Sequence, residues 1–124
     1  MTQEDKELLL KDLCVRLPYG VKIQVPYEDG SGYFDETVWE VNNEGPFYVN
    51  GWGIEYEYVK PYLFPLSSMT EEQKKEYQYI TERWMNDPAY SISDSIDWLN
   101  KHHFDYRGLI EKGLAIDATG LNIY

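Results

Sequence analysis

His102, His103, Asp105 and Arg107 fall together in the run Trp98-Leu99-Asn100-Lys101-His102-His103-Phe104-Asp105-Tyr106-Arg107. Histidine titrates near neutral pH, which suits proton transfer. Asp105 could orient an imidazole, and the guanidinium fork of Arg107 could hold a carboxylate or phosphate. A small enzyme or ligand-binding domain would use these four groups. A plainer reading needs no ligand. The spacing of Ile92, Ile96, Leu99 and His103 puts His103 on the apolar face of a helix. His102 is then a cation favoured near the helix C-terminus, and Asp105 caps a short final helix. Adjacent histidines project about 100° apart on a helix, so they are not the i, i+4 ligand pair of a zinc site.

Other chemistries have less behind them. The units Gly30-Ser31-Gly32 and Gly51-Trp52-Gly53 lack the spacing and following helix of a dinucleotide fingerprint, and no phosphate-binding lysine loop occurs. There is no Gly-x-Ser-x-Gly elbow for a nucleophile such as Ser67 or Ser68. Glu55 and Glu57 share one strand face, which fits a carboxylate pair and equally a solvated face. Cys14 is the only cysteine, which excludes an intrachain disulfide and a cysteine zinc cluster. It sits in an apolar helical pattern, the setting of a small hydrophobe. No metal and no cofactor is expected, and no enzyme motif is present.

Charge narrows the partners. The 124 residues hold 22 acidic and 11 basic side chains, a net charge of −11. Residues 17–69 carry much of the excess, with Lys22 and Lys60 as their only cations. Such a chain is repelled by phosphate backbones and by anionic membrane surfaces, where binding depends on cations. Direct nucleic-acid or membrane binding is not expected. The N-terminus lacks a basic segment followed by an apolar one, and no run approaches the ~20 apolar residues of a membrane span, so the expected location is cytoplasmic.

The elements that must position these groups can be read from periodicity and punctuation. Thr2 caps a helix from about Gln3 to Arg16, with Leu9, Leu10, Leu13 and Leu17 on its apolar side, stopped by Pro18. Val21, Ile23 and Val25 alternate with Lys22 and Gln24 as a strand, and 27–32 is a loop. A second strand spans 36–42. A hairpin joins 46–49 to 54–59 across Asn50-Gly51. Lys60 to Leu66 then leaves the sheet through its prolines. Thr70 with Gln73 forms a capping box for a helix to about Asn86 that buries Tyr77, Ile80 and Trp84, ended by Asp87-Pro88. Ser91 caps the next helix. Gly113 and Leu114 fit a Schellman end to the last one.

The expected fold is α+β in a single domain, 1–124: a helix over 1–17, a small curved antiparallel sheet over 20–66 in an SH3-like version, and two or three helices over 70–116.

The segments 60–72 and 98–110, together with Leu8-Leu9-Leu10-Lys11-Asp12-Leu13 and Arg16-Leu17-Pro18-Tyr19-Gly20-Val21, resemble uncharacterised short acidic proteins of gut Bacteroides-type bacteria and their phages or mobile elements. The resemblance covers both ends and the junction, while 27–57 is individual. It implies a mobile-element setting and brings no catalytic residue with it.

Three functions fit. The first is an accessory factor that binds a protein through the middle segment, with Tyr33, Phe34, Trp52, Glu55, Tyr56 and Glu57 as the contact residues; its acidic face would oppose a nucleic-acid-binding partner. The second is the enzyme or ligand-binding domain at His102, His103, Asp105 and Arg107. The third is a homo-oligomer that buries its tyrosine face. The first is preferred, with the 98–110 corner as scaffold.

Overall fold

The structure is a computed structural model and describes residues 2–27, 29–42, 48–50, 52–53, 59–86 and 92–124. Helix α1 (Gln3–Arg16) begins with a reciprocal cap: Thr2 Oγ1 accepts the Asp5 N–H at 3.1 Å and the Asp5 carboxyl accepts the Thr2 N–H at 3.3 Å. Its buried stripe is Leu9, Asp12, Leu13 and Arg16. That is helical spacing, but half of it is charged. Cys14, expected among the hydrophobes, is exposed. The stripe centred on Leu9 and Leu13 turns positions 12 and 16 inward, and Asp12 and Arg16 can be buried there because they pair with each other. After a 3-10 turn at Leu17–Tyr19 the chain reverses at Gly20, whose φ of 68° suits glycine.

Strand β1 (Lys22–Pro26) runs antiparallel to β2 (Tyr33–Thr37), in register from Lys22↔Thr37 to Pro26↔Tyr33. Val21, Ile23 and Val25 point into the core as their alternation requires. The second strand stops earlier than expected. The Val38 N–H still bonds the Val21 carbonyl at 2.8 Å, and residues 39–40 then lead to β3 (Val41–Asn42), which pairs with β4 (Tyr48–Val49). Two residues, Asn50 and Gly51, separate β4 from β5 (Trp52–Gly53), and Asn50 has φ 52°, as an Asn-Gly turn demands. The flanking arms of the expected hairpin, 43–47 and 54–58, lie outside the described residues.

Lys60–Pro65 does not leave the sheet. It is β6, a central strand of a five-stranded sheet: antiparallel to β1 at Lys60 and Pro61, and parallel to two short strands that come much later, while β3, β4 and β5 form a separate three-stranded sheet. The prolines impose extended geometry, which is strand geometry, while the N–H of Phe64 bonds the His103 carbonyl at 2.8 Å. The Thr70–Gln73 capping box then opens α2 (Glu71–Asn86), with bonds of 2.9 and 3.1 Å, and α3 (Ile92–Lys101) comes next. Tyr77 and Ile80 pack as expected; the side chain of Trp84 lies outside the described part. This excursion brings the chain back to lay β7 (Phe104–Asp105) parallel to β6, and β8 (Ile116–Asp117) joins the same strand. Parallel pairing needs such a long crossover.

The architecture is thus α+β: an N-terminal helix, a small open antiparallel-rich sheet, then helices. The helical part is shorter than 70–116, because residues 104–117 form two strands around a turn. Leu9, Leu13, Ile23, Leu63 and Leu109 anchor the core between α1 and the sheet, and Trp98, Leu99 and Phe104 form a second cluster under α2 and α3. No helix among the described residues is long and apolar enough to cross a membrane.

Candidate functional site

The four chemistry-bearing residues of the 98–107 run are not brought together. Helix α3 ends at Lys101, and His103 takes a left-handed backbone, φ 62°, with its N–H bonded to the Asn100 carbonyl at 3.1 Å. It is a helix-terminating residue, a place glycine or asparagine usually holds, rather than a member of the apolar face. The turn at His103 separates the histidines from Asp105 and Arg107.

His102 and His103 face a cleft of about 390 Å³ walled also by Lys101, Ser68, Thr70 and Tyr124. The His103 ring lies face to face with Tyr124, centroids 3.7 Å apart and planes 10° apart. Tyr124 is fixed in turn: its hydroxyl donates to the Tyr62 carbonyl at 2.8 Å and accepts the Lys22 N–H at 2.8 Å. Burial, reinforced by the charges of Arg16, His102 and Lys22, pushes His103 down to about 4, so it is neutral at pH 7. Its Nδ1 is buried with no hydrogen-bond partner among the described residues. His102 packs on Trp98, ring centroids 4.4 Å apart.

Asp105 is used up by backbone. Its carboxyl accepts N–H groups from Arg107 at 3.3 Å, Leu109 at 3.1 Å and Ile110 at 2.9 Å, so it orients no imidazole. It caps a turn rather than the expected helix. That turn closes as a Schellman motif: Leu114 N–H bonds the Leu109 carbonyl at 2.9 Å, Gly113 N–H bonds Ile110 at 3.1 Å, and Gly113 has φ 74°.

Arg107 turns toward α1, where Asp12 and Arg16 are both completely buried. Arg16 Nε bonds Asp12 at 2.8 Å, and Arg107 Nε lies 3.2 Å from the other oxygen of that carboxyl. The guanidinium carbons of Arg16 and Arg107 sit 5.2 and 5.0 Å from the centre of the Tyr106 ring. Burial raises the Asp12 carboxyl above its ordinary value, partly offset by the two arginines. Sequence reasoning missed Asp12 and Arg16. Their i, i+4 spacing was the available signal, but on most helices that spacing marks an exposed pair.

Among the expected contact residues, Tyr33 is exposed on β2 at 63%. Phe34 is half-buried against the core, with its ring 5.2 Å from that of Tyr27. Trp52 has its backbone in β5; its side chain, and the whole of Glu55, Tyr56 and Glu57, lie outside the described residues. Sequence reasoning also passed over Trp39, which is 66% exposed, on the outward side of the alternation that leaves Val38 buried. No group of His, Cys, Asp and Glu among the described residues is arranged to hold a metal ion. No protein-family model, no curated protein and no solved structure matches the chain.

Proposed function

We propose that this protein is an accessory factor that binds another protein through an acidic, aromatic surface along β2. The observation that carries the reading is the exposure of Tyr33 at 63%, at the start of that strand, and of Trp39 at 66%, two residues past its end, with Tyr27 at 48% beside the first. Large rings left in water are the usual anchors of protein contacts. Asp29, Asp35, Glu36 and Glu40 lie close to them in sequence. Of the two cations in 17–69, Lys22 is engaged elsewhere, its Nζ bonding the Ile123 carbonyl at 2.8 Å. The complementary partner is a protein with a basic surface, and a nucleic-acid-binding protein is the natural class. A phage or mobile element of a Bacteroides-type bacterium is the proposed setting, in which blocking such a partner is a useful act.

The test compares tagged wild-type protein with a Tyr33→Ser/Trp39→Ser variant as baits in lysate from its own cells. A basic protein retained by the wild type, released by salt and lost with the variant supports the reading. Identical retention by both baits would overturn it.

A further inference from the structure

We propose that the cleft walled by Lys101, His102, His103 and Tyr124 binds the oxyanion head, phosphate or carboxylate, of a small organic ligand. The inference does not depend on the interaction surface, which lies on β2. Four observations converge on it. First, in a chain with twice as many acids as bases, no Asp or Glu is among the described residues that wall this cleft. Second, its walls combine the Lys101 ammonium, two imidazoles and the polar side chains of Ser68, Thr70 and Gln73. Third, Arg16 stands behind the wall. Its Nη2 bonds the carbonyl of Phe104 at 2.6 Å, and its Nη1 is buried without a partner among the described residues. Fourth, His103, which lines the cleft, has a buried Nδ1 with no hydrogen-bond partner among the described residues.

These features act together. The Lys101 ammonium on the wall and Lys22, close enough to act on His103, make a positive potential at the place where the ligand head would sit, while the Arg16 charge is shared with Asp12. The volume of about 390 Å³ exceeds that of an inorganic anion and falls in the range of small-molecule sites, so the head would bring an organic body with it. Phe64, Phe104 and Tyr124 give that body apolar walls.

The test is NMR titration of the full labelled chain with inorganic phosphate, with acetate, and with sodium chloride at matched ionic strength. Saturable shifts at His102, His103 and Lys101 with phosphate or acetate, and not with chloride, are expected. Tighter phosphate binding would identify a phosphorylated ligand, and tighter acetate binding a carboxylated one. Lys101→Gln, an exposed position whose replacement spares the fold, should weaken binding roughly fivefold. Lys11→Gln, exposed on α1, should change nothing. Shifts that never saturate, or equal loss from both lysine variants, would overturn the site.

Discussion

Arg16 Nη2 donates to the Phe104 carbonyl at 2.6 Å, joining the end of α1 to the first residue of β7 across 88 positions of sequence. The same guanidinium holds Asp12 at 2.8 Å, so one buried side chain connects the first helix to the C-terminal part of the sheet. Removing one member of a buried pair leaves the other charge uncompensated. Arg16→Met is therefore expected to cost about 3–5 kcal/mol in chemical denaturation. Asp12→Leu/Arg16→Met should recover a large part of that loss; a double variant no more stable than the single one would show that the pairing is not what matters.

Asp105 should behave as a cap and not as a catalytic group. Asp105→Ala removes the acceptor for three N–H groups in the turn that ends at Gly113, with an expected cost of about 2 kcal/mol by urea denaturation. Phosphate binding at the cleft should be unchanged wherever the variant is folded. Unchanged stability would contradict the capping role.

The pH dependence of stability should carry the signature of His103. Its folded value near 4 lies below the ordinary 6.5, so between these limits the unfolded chain binds the extra proton. Stability should rise with pH across that window and fall as pH drops from about 6.5 toward 4. After allowance for solvent screening the change is about 1–2 kcal/mol. His103→Asn keeps a residue tolerant of positive φ but does not titrate. It should flatten the slope, and parallel profiles for wild type and variant would show that His103 is not the group responsible.

Asn50 links the β4–β5 turn to the end of β2. Its Oδ1 accepts the Trp39 and Glu40 N–H groups at 2.8 and 3.2 Å, and its Nδ2 donates to the Thr37 carbonyl at 2.9 Å. Asn50→Gly preserves the positive φ and deletes those bonds. The expected loss is about 1–3 kcal/mol by thermal or chemical denaturation, and a neutral effect would mean that the turn geometry alone sets the hairpin.

The features legible in the sequence were local. The Thr2 and Thr70 caps, the alternation of Val21, Ile23 and Val25, the Asn50-Gly51 turn and the Gly113-Leu114 closure each depend on residues within a few positions of one another. Contacts across long separations stayed hidden. Asp12 and Arg16 read as surface charges because their burial depends on Phe104 and Arg107. The two-residue strands β7 and β8 are too short to show alternation and exist only because β6 offers bonds to them. The sequence pattern puts His103 on the apolar face of the helix, whereas it ends the helix, because the left-handed turn there has no glycine to announce it. Asp105 and Arg107 were grouped with the histidines by sequence proximity, while the fold directs Asp105 to the turn before Gly113 and Arg107 to Asp12.

The central claim is that Trp39 is a contact residue for a protein partner. A photo-crosslinking amino acid introduced at Trp39, and in a parallel strain at the exposed Tyr79 of α2, tests it inside the protein's own cells. A discrete crosslinked protein of basic surface from position 39, with none from position 79, is the expected result. No crosslink at position 39, or the same products from both positions, would contradict it.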